Sequence, residues 1–239
     1  MSGHSHWATV KHTKGAEDAK RSKAFSKMAR VIIVAAKENG GDPINNAKLR
    51  TAIEQARQMN MPKDKIEKSI KKGTGELEGE KLEQVTFEAY GPNNTAIIIE
   101  GITDNKNRTL GEIKKILSQY NGKLASEGSV KWMFERKGII IVENEQETAN
   151  KEQLEMNSIE AGAEDIQWDK NTLYIYTKPE ELDKAKNSLE EKGIKVKSSA
   201  LGWTAKEIIK LENRESFEKL MEALDDNDGV QDIYSNLKM

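Results

Sequence analysis

The side chains with the most chemistry to offer lie near the start of the chain: Lys11, Lys14, Lys20, Arg21, Lys23, Lys27 and Arg30. Lys20, Lys23, Lys27 and Arg30 stand three or four residues apart, the spacing that places side chains on one face of an α-helix. A row of cations neutralises phosphates and releases their counterions, the sequence-independent part of nucleic-acid binding. A solvated helix face has the same composition, so the surroundings must decide between the two readings. Residues 1–72 carry 16 Lys+Arg against 7 Asp+Glu, a net of +9, whereas the remainder carries 22 against 33, a net of −11. A total of −2 therefore conceals a cationic head and an anionic body, which favours contact with a polyanion at one end only.

The same arm holds all three histidines, His4, His6 and His12, together with Trp7. Trp7 is suited to stack on an unpaired base and His4 or His12 to bond a phosphate. Packing of Trp7 on a neighbouring domain is an equal alternative. No metal is expected, because no carboxylate joins the histidines at ligand spacing and no outer shell is visible. A second polar cluster, Thr103 to Thr109, separates an apolar strand from a helix. Its Lys106 and Arg108 sit where a helix start favours anions, so contact with nucleic acid or another domain stands beside plain exposure. Asp104 or Asn107 is expected to cap that helix. Calcium is not expected there, since Lys106 and Arg108 occupy positions that would need oxygen ligands.

Catalytic signals are missing. The run Gly73 to Gly79 follows a helix and lacks the Gly-Lys-Ser/Thr ending of a phosphate loop. There is no nucleophile elbow or HExxH, and the carboxylates form no recognisable acid–base couple. With no Cys in the chain, thiol nucleophiles, zinc–thiolate sites and disulfides are excluded. No catalytic residue, cofactor or small-molecule substrate is expected. Asp225-Asp226-Asn227-Asp228-Gly229 reads as a helix end and turn rather than a metal site.

The elements that must position these groups follow from periodicity. Phe25, Met28, Ala29, Ile32 and Ala36 form one apolar helix face, with Ser22 as the expected N-cap and Gly40 to Pro43 as the stop. Leu49, Ala52, Ile53 and Ala56 mark a second helix; Pro62, Ile66 and Ile70 mark a third that Gly73 ends. Residues 1–20 read as an irregular basic arm. From Val85 the period becomes two: VTFEAY, a GPNN turn and TAIIIEGIT give a hairpin whose second strand is apolar on both faces. A helix is expected at 107–120 and a third strand at Ser129 to Glu135. GIIIVE, a helix from Glu147 to Ala161, EDIQWD, LYIYT, a helix from Glu180 to Lys192 and IKVKSS follow, the βαββαβ order of the ferredoxin-like plan. Helical stretches at about 204–212 and 215–225 and a strand at GVQDIYS end the chain.

The expected class is α+β and multidomain. A low apolar share (36 %) and a high charged share (33 %) suit several small cores better than one large one. Residues 1–75 form the basic arm and helical domain. Residues 82–136 with 202–239 form a discontinuous central α/β domain, and 138–200 an inserted ferredoxin-like domain. The insertion is preferred to simple succession because a lone C-terminal helix and strand need a sheet to join. The longest apolar run, Val31 to Ala36, is far short of the roughly 20 residues that span a bilayer. The N-terminus has no apolar signal core, so a cytoplasmic protein with no membrane partner is expected.

Four strings carry a family resemblance. GHSHWATVKHTKGAEDAKRSKAFSKMARVI resembles the opening of the YebC family, to which the mitochondrial translational activator of cytochrome c oxidase belongs. NAKLRTAIEQARQMNMPKDKIEKSIKKGTGE resembles its helical block, FEAYGPNNTAIIIEGITDNKNRTLGEIKKILSQYNGKLASEGSVKWMFERKG its central domain, and DDNDGVQDIYSN its C-terminal strand. The chain departs from the family pattern in His6 for Lys, Thr13 for a common Arg and GPNN for GPGG. The first two lower the charge of the arm. The resemblance implies a cytoplasmic, non-enzymatic regulator of gene expression in three domains. Bacterial members are described as transcriptional regulatory, DNA-binding proteins, and others act in translation at the ribosome.

The residues and the resemblance together point to a nucleic-acid-binding regulator. DNA and RNA both remain open, and weak sequence specificity is expected because no helix offers a base-reading set. Ribosome or transcription machinery are the expected larger partners. The alternatives are a ribosome-associated translation factor binding RNA, or a protein-docking module without nucleic-acid contact.

Overall fold

A helical block opens the chain. The structure, a computed structural model, describes residues 17–144, 150–211 and 213–238, with side chains from residue 21 onward. Helix α1 (Glu17–Asn39), α2 (Ala47–Gln58) and α3 (Lys63–Thr74) pack through Phe25, Ile32 and Ala36 of α1, Leu49 and Ala56 of α2, and Ile66 of α3. Asn46 fastens the corner. Its buried amide donates to the carbonyls of Ala35 and Gly40, both at 2.8 Å, while its Oδ1 caps α2 at Leu49 N, 3.0 Å away. Ser22, the expected cap of α1, lies inside that helix, where its carbonyl accepts from Ser26 Oγ. Gly73 does not end α3. It is where α3 presses on α1, since an added Cβ would stand 2.5 Å from the Ile33 carbonyl oxygen. The helix ends one residue later, with Gly75 as a left-handed cap at φ 82°.

Strands β1 (Glu83–Tyr90) and β2 (Ala96–Thr103) form an antiparallel hairpin, followed by α4 (Lys106–Gln119) and the short β3 (Lys123–Leu124). Asn93 and Asn94 take φ of 55° and 58° in the turn, a conformation asparagine tolerates. Next come β4 (Phe134–Glu143), α5 (Lys151–Glu160), β5 (Asp165–Asp169), β6 (Thr172–Thr177), α6 (Leu182–Glu191) and β7 (Val196–Ala205). Helix α7 (Glu215–Asp225) and β8 (Val230–Ser235) close the chain.

Two four-stranded sheets result, with orders β3-β1-β2-β8 and β5-β6-β4-β7. The last strand thus lies beside β2. In the second sheet every neighbour is antiparallel, and the element order is βαββαβ. Ile140, Val142, Leu173 and Ile175 alternate with residues of the other face and meet Leu154, Ala185 and Leu189 of its two helices. The class is α+β. Contacts gather the chain into two units. One holds the described residues up to Val130 together with Leu211–Ile233; the other holds Lys131–Lys210 and the residues from Tyr234 on. The boundaries read from sequence near 137 and 201 fall inside β4 and β7.

Two elements differ from expectation. Ser129 to Glu135 is not the third strand: Lys123–Leu124 pairs with β1 instead, and 131–133 makes a 3-10 turn before Phe134 opens β4. No helix forms at 204–212 among the described residues, because β7 stays paired with β4 as far as Ala205, opposite Phe134.

Candidate nucleic-acid interface

Helix α1 is buried on two sides. Phe25, Ile32 and Ala36 face the bundle, whereas Val34 packs on Leu82 and on Ile102 of β2. The row Lys23, Lys27, Arg30, Val34 advances by four, three and four residues, so the cations continue the stripe that Val34 begins. That stripe runs onto the turn between α7 and β8. Lys27 Nζ donates to the Asp225 carbonyl at 2.8 Å and pairs with its carboxylate at 2.7 Å. Lys23 Nζ pairs with the Asp226 carboxylate at 3.1 Å and donates to the Asp226 carbonyl. Arg30 Nη1 donates to the carbonyls of Asp228 and of Ile102, the latter at 3.3 Å.

The turn attracts cations for two reasons. It carries three aspartates, and it lies at the C-terminus of α7, where unsatisfied carbonyls concentrate negative charge. It is also fastened elsewhere: Asn227 donates to Glu112 of α4 at 2.7 Å, and Ile102 N donates to the Gly229 carbonyl at 2.9 Å. The expected phosphate-facing stripe thus has an intramolecular partner. Lys23, Lys27 and Arg30 do share a face, but they are engaged by the chain's own acidic turn.

The opposite flank of α1 offers what that face does not. A groove of about 210 Å³ runs between α1 and α3, with Phe25, Ala29 and Met61 in its floor and Lys65, Lys68 and Lys72 along its wall. The three lysines are spaced i, i+3, i+7, one row on α3. Lys65 Nζ and the Arg21 guanidinium each lie 5.4 Å from the Phe25 ring centroid, so Arg21 joins the row from α1. Among the described residues no carboxylate pairs with Lys65, Lys68 or Lys72. At about 1.5 Å rise per residue the row spans about 10 Å. Reading the sequence missed these lysines, although KDKIEKSIKK shows their spacing.

The remaining expected residues separate. His4, Trp7, Lys11, His12 and Lys14 lie outside the described residues, as does the side chain of Lys20. Lys106 is exposed in the first turn of α4. Arg108 is held within its own helix by Asp104 and, at 3.8 Å, by Glu112. The hydrogen bond from Arg108 holds the Asp104 carboxyl below its usual range, and the same bond raises the guanidinium. The helix cap is neither Asp104 nor Asn107 but Asn105, whose Oδ1 accepts from Arg108 N at 3.0 Å.

Family models match nearly the whole chain. The TACO1/YebC N-terminal domain matches residues 5–76, and the TACO1/YebC second and third domain matches residues 82–237. The chain belongs to the TACO1/YebC family. The two TACO1/YebC matches meet across residues 77–81, beyond the Gly75 cap of α3. A family relative in Caldanaerobacter subterraneus subsp. tengcongensis, named a probable transcriptional regulatory protein, is 47 % identical over 100 % of this chain and 99 % of its own. A probable transcriptional regulatory protein of Petrotoga mobilis is 50 % identical over 100 % of this chain and 95 % of its own. The crystal structure of a conserved hypothetical protein, Aq1575, from Aquifex aeolicus superposes with a TM-score of 0.88 at 42 % identity, covering 98 % of this chain and 96 % of that one. The relatives' names support a regulatory role. Among the described residues no helix is long and apolar enough to cross a membrane, and no three His, Cys, Asp or Glu side chains are grouped to hold a metal ion.

Proposed function

We propose that this protein is a non-enzymatic, cytoplasmic regulator of gene expression that grips the backbone of nucleic acid with its helical block. The observation that carries the reading is the row Lys65, Lys68, Lys72 beside Arg21, cations with an apolar floor beneath them, the three lysines having no carboxylate partner among the described residues. Contacts of this kind fix position on the backbone and read little sequence. The relatives' names support DNA as the target and transcription as the process. The basic arm, with His4, Trp7, Lys11, His12, Lys14 and Lys20, extends the same contact. Lys106 is a further phosphate contact from α4. Lys23, Lys27 and Arg30 are held in reserve: phosphate reaches them by displacing the Asp225–Asp228 turn.

Salt-dependent binding tests this. On a labelled duplex, removing each phosphate contact lowers the steepness of log K against log salt by about 0.9, and on single strands by about 0.7. Lys65→Ala, Lys68→Ala and Lys72→Ala combined should therefore flatten the duplex slope by roughly 2.7. The ammonium groups are exposed, so the melting temperature should stay put. A triple variant with the wild-type slope and affinity would remove the groove from the reading.

A further inference from the structure

The groove between α1 and α3 has more to it than a row of cations requires. Ala29 and Ile33, one turn apart on α1, and Met61, just ahead of α3, give it an apolar lining within about 210 Å³. Phosphate is strongly hydrated and gains nothing from such a lining; lysines on a flat helix face would hold it as well. Apolar surface gains by leaving water, so the group that completes the groove is weakly hydrated and attached to an anion. Arg21 stands at the edge. It is exposed, and its guanidinium is backed by Phe25, 5.4 Å from the ring centroid. A guanidinium plane is one of the surfaces on which unpaired bases stack. Lys65 lies against the same ring, also at 5.4 Å, and starts the row that Lys68 and Lys72 continue along the wall.

Building on the reading that the helical block grips nucleic acid, we infer that the groove receives one unpaired base of a single strand. The base lies on Ala29, Ile33 and Met61 and stacks on Arg21, while Lys65, Lys68 and Lys72 hold the phosphates on either side of it. A duplex keeps its bases stacked and paired, so its phosphates reach the row but the apolar lining stays wet. The groove accepts bases of any identity. Ser26 and Ser69 share its wall, but their hydroxyls donate to the carbonyls of Ser22 and Lys65 at 3.0 and 2.8 Å, which leaves no hydroxyl hydrogen to select a base. Stacking with little sequence preference, beside cations for the backbone, is how single strands are held. An acidic peptide would also suit the charge row, but it has no use for a guanidinium backed by a ring.

The test uses the full chain and two 12-unit probes, titrated by fluorescence anisotropy: oligothymidylate, and a deoxyribose-phosphate oligomer that lacks the bases. The phosphates are the same in both, so the ratio of the two affinities reads the base alone. Wild type should favour oligothymidylate by at least about fivefold. Ala29→Leu fills the groove and should bring the ratio to about one, with the salt slope on the abasic probe unchanged. Arg21→Lys keeps the charge and loses the plane, so it too should lower the ratio toward one at an unchanged slope. Because Arg21 is exposed, that variant decides the matter if Ala29→Leu lowers the melting temperature. A wild-type ratio near one, the result a peptide site would give, overturns the inference. So does a wild-type ratio retained by Arg21→Lys or by a folded Ala29→Leu, which would put the base contact elsewhere. The triple lysine variant separates the two failures. If it keeps the wild-type slope, the phosphate reading falls and the base site with it; if it flattens the slope while the wild-type ratio is near one, only the base site falls.

Discussion

Neutralising the acidic turn should make the protein bind polyanions more tightly. Asp225→Asn with Asp226→Asn keeps the shape of both side chains and removes the charges that face Lys27 and Lys23 at 2.7 and 3.1 Å. The backbone carbonyls of the turn remain, so the helix end keeps its hydrogen-bond acceptors while losing its power to outcompete phosphate. If both lysines then reach a duplex, the salt slope steepens by about 1.8. Between 200 and 50 mM salt, a fourfold dilution, this adds roughly a tenfold gain in affinity over wild type. The stability lost should be small, since partly exposed pairs contribute about 0–1 kcal/mol each. Fluorescence anisotropy over that salt range, with a thermal melt alongside, measures both. Asp228→Asn is the control: Asp228 meets Arg30 through its carbonyl, so the substitution removes a charge but no side-chain contact. A double variant whose slope equals that of wild type, or is shallower, would refute the idea that the turn shields the stripe.

Two further outcomes follow from geometry. Gly73→Ala would drive a methyl to 2.5 Å from the Ile33 carbonyl and 2.6 Å from the Ala36 Cβ, so α3 must shift off α1; overpacking of this kind costs about 1–3 kcal/mol, visible as a lowered denaturation midpoint. The Asp104 carboxyl should titrate below its ordinary value of 3.8 because Arg108 bonds its charged form. The ion pair is thus complete above that value and is lost as pH falls through the lowered one. An NMR titration checks this, and a midpoint at or above 3.8 would show that the pair does not form in solution.

How much could be read beforehand depended on how local each cause was. The helical block and the β1–β2 hairpin follow from spacing within a dozen residues, and most of the apolar positions read there, such as Phe25, Ile32, Leu49 and Ile66, are buried. Ser129 to Glu135 misled because Trp132 and Met133 look like core in sequence, yet Trp132 is exposed and the segment is a turn. The stretch 204–212 misled because its helix-like pattern competes with strand pairing: Phe134 lies far away in sequence and fixes Ala205 as strand. Gly73 has the composition of a terminator and acts as a packing site. The site was half legible. Charge placement pointed to the helical block, but which flank of α1 is left uncovered is decided by Asp225 to Asp228, about two hundred residues downstream, and no local pattern carries that information.

The same separation has a consequence during synthesis. Lys23 meets its carboxylate partner 203 residues later, and β2 receives its neighbour β8 only when the last strand has been made. At about 5–20 residues per second a ribosome needs roughly 10–40 s to cover that distance. Until then Lys23, Lys27 and Arg30 lack the turn that holds them in the folded protein. The masking of Lys23 and Lys27 therefore waits on residues about two hundred positions downstream.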